Sequence, residues 1–347
     1  MKYQFVIALT NNVNQNTASS KAVNDCTIIL ERRGYKNLNL FFVKDKKLAL
    51  YNFIKLTAHL LKMMLTVKQH SVIVIQYPLL GINNQINLLI KLLKRVKKCR
   101  FVCITHDVES LRTNNPHLFK TDIHNLSQYD VVITHNQIMK NWLKAHGLKT
   151  KIIALEMFDY LNMSSEASIN TVQYQPPVTV AFAGNLSKSS FIYKLHTIPS
   201  VNFNLYGPHL NQDGFNTSTT IWRGSFNSDE ILSRLHGHYG LIWDGGSIEE
   251  CSGEMGEYLQ YNNPHKLSLY LAVGLPVIVP NNSAISHFVI KNNLGITVES
   301  LTELPKRLIN VTNAEYNSFK DNAVLQRTKL LNGYYFNSAI TKFETIL

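Results

Sequence analysis

Three groups of residues in this 347-residue chain have types and spacing that suit chemistry on a charged or hydroxyl-bearing ligand. In the first, Asn263-Pro264-His265-Lys266 precedes an apolar run (Leu267, Leu269, Tyr270, Leu271, Val273) that stops at Gly274. This predicts a helix with Asn263 as N-cap, Pro264 at the first helical position and Gly274 just past the end. The open N–H groups of such a helix start, with His265 and Lys266 beside them, suit a phosphate or diphosphate. In the second, Gly184-Asn185-Leu186-Ser187-Lys188 follows a short apolar run. Gly184 permits a tight turn and Lys188 supplies a cation for a phosphate. A solvated surface helix and a plain strand-to-helix loop account for these two groups equally simply. The third group is His106-Asp107 with Glu109, after another apolar run. These three are candidates for binding an acceptor or for a general base, although strand-end His-Asp pairs also tie loops down. Arg112 is placed to balance the carboxylates or to meet a phosphate.

The elements that must position these residues alternate between strand and helix. Predicted strands are 3–9, 38–42, 72–76, 101–105, 131–134 and 152–154, with helices at 18–33, 48–67, 82–97 and 137–146. Short apolar strands separated by helices imply a parallel sheet covered on both faces. The pattern is lost at 161–177, which is polar and ends in Pro176-Pro177, and a linker is predicted there. It resumes with strands 178–183, 201–206, 220–222, 239–243 and 277–279, helices at 229–235, 264–273, 285–291 and 301–309, and a helical C-terminal stretch. The chain thus divides into an N-terminal Rossmann-like domain (1–160), the linker, a C-terminal Rossmann-like domain (178–330) and a final helix (331–347). Ligands of such sheets bind beyond the carboxyl ends of the strands, so two facing sheets make a cleft with one substrate on each side. Two further strand ends, Tyr206 and Trp222-Arg223, offer planes that either stack on a nucleobase or pack in the core. The acidic, glycine-rich stretch 244–254 reads as a loop that closes over the site or as a surface loop.

Composition narrows the class. With 45% hydrophobic and 17% charged residues the chain is an ordinary globular protein. Cys26, Cys99, Cys103 and Cys251 show neither CxxC pairing nor histidines at metal spacing, which points to reduced, buried thiols in the cytoplasm. The stretch 48–65 comes nearest to a membrane span, but Lys55, His59 and Lys62 interrupt it, so an amphipathic helix is predicted. The net charge of +12 is uneven: residues 1–160 hold 23 Lys and Arg against 9 Asp and Glu, and residues 161–347 hold 12 against 14. The basic half suits a solvated helix end, an anionic membrane surface or an acidic polypeptide. Nucleic acid is disfavoured, since no recognition motif accompanies the charge. The Asn-rich loop 10–17 lacks the glycines of a dinucleotide fingerprint, which argues against a dehydrogenase.

Four phrases, in order, carry a family resemblance: His106-Asp-Val-Glu-Ser-Leu-Arg112, Phe182-Ala-Gly-Asn-Leu-Ser-Lys188, Tyr239-Gly-Leu-Ile-Trp-Asp-Gly245 and Tyr261-Asn-Asn-Pro-His-Lys-Leu-Ser-Leu-Tyr270. They resemble bacterial glycosyltransferases of the GT-B fold, in particular the glucosyltransferase 3 group, which adds the second sugar to serine-rich adhesins and has galactofuranosyltransferase relatives. The resemblance implies two Rossmann-like domains facing a cleft, with the final helix crossing back onto the first. It implies a UDP-sugar donor held by Gly184, Asn185, Lys188, Tyr206, Arg223, Asn263, His265 and Lys266, with Asn16 and Thr17 near the donor sugar. It also implies catalysis without a bound metal, in agreement with the lack of an Asp-x-Asp motif. Glucose transfer to a GlcNAc-bearing Ser/Thr-rich protein is the first expectation, with His106, Asp107 or Glu109 as base if the reaction inverts. A hexosyltransferase building a lipid-linked polysaccharide and a non-catalytic partner subunit are the alternatives. Expected partners are the UDP-sugar and a glycan or glycoprotein acceptor, with homo-oligomers and a peripheral contact at the inner membrane face also in view.

Overall fold

The computed structural model describes residues 1–9, 18–42, 49–79, 81–162 and 172–347. Its strands are β1 (Lys2–Phe5), β2 (Ile7–Leu9), β3 (Lys36–Asn37), β4 (Leu40–Phe42), β5 (Val72–Tyr77), β6 (Arg100–Thr105), β7 (Val131–Thr134), β8 (Lys151–Ala154), β9 (Val178–Ala183), β10 (Val201–Tyr206), β11 (Thr220–Gly224), β12 (Tyr239–Leu241), β13 (Val277–Pro280) and β14 (Gly295–Val298). They form two six-stranded sheets, ordered β3-β1-β5-β6-β7-β8 and β11-β10-β9-β12-β13-β14, with β2 and β4 as a separate pair. Every ladder is parallel. Both orders are doubly wound, reversing direction beside the first strand of each sheet.

The central strands are apolar on both faces because helices cover both: Ile73 to Ile75, Phe101 to Ile104 and Val180 to Phe182 are fully buried. The predicted strand 3–9 is broken at Val6. Its N–H turns to the Asn39 side chain, and Val6 C=O accepts from Leu40, which launches the β2–β4 pair. β14 was not foreseen. It is four residues long and starts at a glycine, so it lacks a periodic signal of its own and is recruited by pairing with β13. The short helices Phe119–Leu126 and Gly253–Tyr258 were likewise not foreseen, and the second takes over the end of the predicted loop 244–254.

The two sheets share an apolar cluster running from Ile104, Ile133 and Ile153 through Met157 and Phe158 to Leu267, Tyr270 and Phe336. Helix Tyr334–Ile346 lies against β8 and helix Ala18–Arg32. The Asp159 carboxylate accepts from the N–H groups of Tyr335 (3.1 Å) and Phe336 (2.7 Å), which fastens the start of that helix. Near its other end Glu344 accepts from Lys2 (2.7 Å), Arg33 (2.9 Å) and Tyr35 (2.9 Å).

Candidate active site

The carboxyl ends of β6 and β7 meet the start of helix His265–Ala272 across the interface between the sheets. His106 follows β6, and its Nε2 lies 2.6 Å from Gln76 Oε1. The Gln76 amide nitrogen donates to Val23 C=O (3.2 Å) and Thr27 Oγ1 (3.0 Å), so its oxygen is the acceptor and His106 Nε2 carries the proton. Nδ1 is then a lone pair, buried and unpartnered. The ring stacks on Phe158 at 5.5 Å. His135 follows β7. Its Nδ1 accepts from Asn263 N–H (2.9 Å), which leaves Nε2 as a buried donor without a partner. His265 Nε2 is also buried and unpartnered, with its ring 5.3 Å from Tyr160 and 6.2 Å from Phe158.

All three imidazoles are neutral at physiological pH. Burial, reinforced by the other two histidines, pushes His106 down to about 3. Burial holds His135 at about 4, and burial with Lys21 nearby holds His265 at about 3. Among the described residues no group of His, Cys, Asp or Glu side chains is arranged to hold a metal ion. Buried polar atoms normally have partners. Three such ring nitrogens lie around the Phe158 ring, closed to solvent.

The carboxylates near His106 differ. Burial raises Asp107 to about 6, against the opposing pull of Arg112 and a hydrogen bond with Tyr258. Glu109 is clamped by Arg112 through two hydrogen bonds, of 3.1 and 2.6 Å. Arg112 is thus the partner that balances Glu109, as one of its two expected roles.

On the second sheet the order reverses between β9 and β12. Gly184 follows β9 and approaches Gly207, which follows β10 at φ 138°, where a Cβ would fall 1.8 Å from Gly184 O. Lys266 reaches across to this turn. Its Nζ donates to Asp244 Oδ1 (2.8 Å) and Trp243 C=O (3.1 Å), leaving one of its three N–H groups. Lys266 Cε lies 3.2 Å from the place a Gly184 side chain would take. The Asn185 side chain accepts from Ser187 N–H (3.1 Å) and caps the turn Leu186–Lys188, at whose end Lys188 is exposed.

Two further expectations are corrected. Tyr206 is 1% exposed and its hydroxyl accepts from His236 N–H (3.0 Å), so no face is open for stacking. The neighbouring aromatic that retains exposure is Trp222, at 41%, with Nε1 donating to Gly207 C=O (3.0 Å). Arg223 is exposed on β11 and donates to Asn204 Oδ1 (2.9 Å). Asn263 does not cap its helix, since Pro264 is the cap residue and no side chain accepts from the first turn. Its amide instead donates to His135 C=O and Glu156 C=O and accepts from Asn136 Nδ2 (2.8 Å), bracketing the two sheets together. The stretch 244–254 fits its surface-loop reading: it is irregular up to Ser252, with Trp243 Nε1 donating to Ser247 C=O (2.8 Å) and Glu249 accepting from Ser300 (2.9 Å). Asn16 and Thr17 lie outside the described residues.

His135, Phe158 and Asp244 had not been singled out individually. His135-Asn136 repeats the strand-end pattern of His106-Asp107 one strand along, a signal available in the sequence. Phe158 and Asp244 have no such local signature.

Comparison with known proteins gives the family. Residues 4–157 match the family described as Glucosyltransferase 3-like, N-terminal domain, and residues 180–343 match Glucosyltransferase 3-like, C-terminal domain. The chain is 34% identical over 250 residues to Beta-1,6-galactofuranosyltransferase WbbI of Escherichia coli K12, covering 71% of this chain and 72% of that protein. It is 25% identical over 320 residues to Glucosyltransferase 3 of Streptococcus gordonii, covering 90% of each. Among solved structures, Anabaena HepE in complex with UDP and glucose superposes with a TM-score of 0.60 at 13% identity, over 99% of this chain and 100% of that one. A trehalose-phosphate synthase of Burkholderia vietnamiensis gives 0.59 at 9% identity, over 99% of each chain.

Proposed function

This chain belongs to the glucosyltransferase 3-like family of GT-B glycosyltransferases, and from that premise we propose that it moves a hexose from a UDP-sugar to a hydroxyl of an already started glycan. One observation carries the reading: the Lys266 ammonium lies against the bare backbone of Gly184 at the reversal point of the second sheet. A Gly-flanked strand end with a cation is what a diphosphate requires. Lys266, the exposed Lys188 and the uncapped first turn of helix His265–Ala272 would stabilise the charge that develops on the departing diphosphate.

In the reaction the acceptor oxygen forms a bond to the anomeric carbon as the bond to the diphosphate oxygen breaks. The acceptor proton goes to Asp107 if the configuration inverts, and to the departing diphosphate if it is retained. Asp107 is the better base of the three candidates, because at about 6 it is ionised at neutral pH yet still able to take a proton. His106 and His135 would instead orient sugar hydroxyls as a neutral acceptor and a neutral donor.

Glucose on a GlcNAc-modified protein remains the first reading of donor and acceptor; the Streptococcus relative, which covers 90% of each chain, supports the glucose and not the acceptor. Galactofuranose on a lipid-linked glycan is the second, its sugar favoured by the 34% identity to the galactofuranosyltransferase WbbI. A thermal-shift panel of UDP, UDP-glucose, UDP-galactofuranose and GDP, with Lys266→Ala alongside, tests the donor site. Stabilisation by UDP and not GDP, lost in Lys266→Ala, is expected. No response from folded protein to any nucleotide would remove the transferase assignment and leave the accessory-subunit alternative.

A further inference from the structure

The helices over one face of the first sheet carry more exposed apolar surface than solvation explains. Helix Ala49–Thr66 is apolar on both sides. Leu56 and Met63 are buried, whereas Leu50, Ile54, Leu61 and Leu65 are between 58% and 83% exposed. At about 100° per residue those four positions fall within roughly 60° of one another, so they form one stripe. Exposed apolar surface gathered into a stripe of this kind normally faces a partner or a membrane. Helix Asn83–Lys97 buries Ile86, Leu89, Ile90 and Leu93 in the same cluster as Leu56 and Met63. It leaves Leu88, Leu92 and Val96 exposed at four-residue intervals.

Cations flank both stripes. Lys62 follows Leu61, Lys91 and Arg95 alternate with Leu92 and Val96, and Lys98 closes the second helix. Among the described residues none of these four has a carboxylate within ion-pair distance. Residues 46–106 contain eleven Lys and Arg and no Asp or Glu. A second copy of the chain, docked here about a two-fold axis, would set cations against cations. An anionic lipid surface accommodates both features, the stripes at the headgroup–acyl boundary and the cations among the phosphates. Among the described residues no helix is long and apolar enough to cross a membrane.

We propose that helices Ala49–Thr66 and Asn83–Lys97 dock the protein reversibly, without spanning, on an anionic lipid bilayer. The proposal stands apart from the donor chemistry. Its test is co-sedimentation of the full chain with phosphatidylcholine vesicles, with and without phosphatidylglycerol. Binding only to the phosphatidylglycerol vesicles, weakening with salt, is expected. Lys91→Gln with Arg95→Gln should lower partitioning on the order of 25-fold, because each cation at such a surface contributes roughly fivefold. Leu61→Ser with Leu65→Ser should lower it about tenfold, with the melting temperature unchanged because both side chains are already exposed. Equal binding to both vesicles, no binding to either, or binding unmoved by either pair of substitutions would overturn the proposal. A concentration-dependent dimer that the leucine substitutions disperse, with no vesicle binding, would overturn it too and assign the face to a second copy.

Discussion

At the scale of single residues, the site is defined by what each side chain is already bonded to. Asp107 and Glu109 are two positions apart, yet Asp107 is buried whereas Glu109 is paired with Arg112 at the surface. If Asp107 is the base, kcat/KM should fall as pH drops below about 6, and Asp107→Asn should reduce kcat on the order of 10²- to 10⁴-fold. A pH–rate profile without that limb would reassign the proton to the departing diphosphate. Gly207 is a second residue with an unambiguous role. Its φ of 138°, and a Gly184 O only 1.8 Å from where any Cβ would sit, leave no room for a side chain. Gly207→Ala should therefore cost more than about 2 kcal/mol in urea unfolding and weaken UDP binding as well. Gly184→Ala is the milder control, since its Cβ would press only on Lys266 Cε, at 3.2 Å. It should alter nucleotide binding with little loss of stability.

At the scale of elements, the unit to test is the final helix. Tyr334–Ile346 starts at Gly333 without a side-chain cap of its own, and the Asp159 carboxylate supplies the missing acceptor from across the chain. Asp159→Ala should destabilise by about 1–2 kcal/mol, the usual cost of losing a helix cap. Amide exchange should show the loss concentrated at Tyr335 and Phe336, and uniform exchange along the helix would contradict it. The elements also show how far sequence reading reaches. Strands 131–134, 178–183 and 201–206 coincide with β7, β9 and β10, because buried parallel strands are continuous apolar runs bounded by polar residues. β14 was missed because its partner, not its own periodicity, makes it a strand. Helix His265–Ala272 was legible in position but misread at its start. Asn263 has the composition of a cap, but its amide bonds to His135 and Glu156, more than a hundred residues away.

At the scale of the whole molecule, Asn263 couples the two sheets. Asn263→Ala would take one partner each from His135 C=O and Asn136 Nδ2, which keep Glu156 N–H and Tyr261 C=O, and would remove the amide from Glu156 C=O, for a loss of about 1–3 kcal/mol in urea unfolding. Acid stability belongs to this scale as well. The three histidines, with native pKa values of about 3 to 4, bind fewer protons folded than unfolded below their ordinary 6.5. Their share of stability is full above about pH 6.5 and is lost as pH falls toward 3–4. Asp25 and Asp107, raised to about 6, and Asp159, raised to about 7, act oppositely. Burial dominates all three shifts, so their share weakens as pH rises from 3.8. The two sets oppose each other between pH 4 and 6, and a shallow stability profile is expected there. Asp107→Asn removes one opposing proton and should steepen the acid loss by about 1.4 kcal/mol per pH unit. An unchanged slope would contradict the assignment. The sequence by itself determined the two parallel-sheet halves, the glycine and lysine at the second sheet's strand ends, and the basic first half. All of these are local, set by periodicity, turn chemistry and composition. Only the tertiary structure decided that Tyr206 is buried, that Asn263 brackets the sheets, that Asp107 is buried beside Tyr258, and that three histidines surround Phe158. Each of those depends on groups brought together from distant strands, and burial and hydrogen-bond pairing across such distances leave no trace in the spacing of residues.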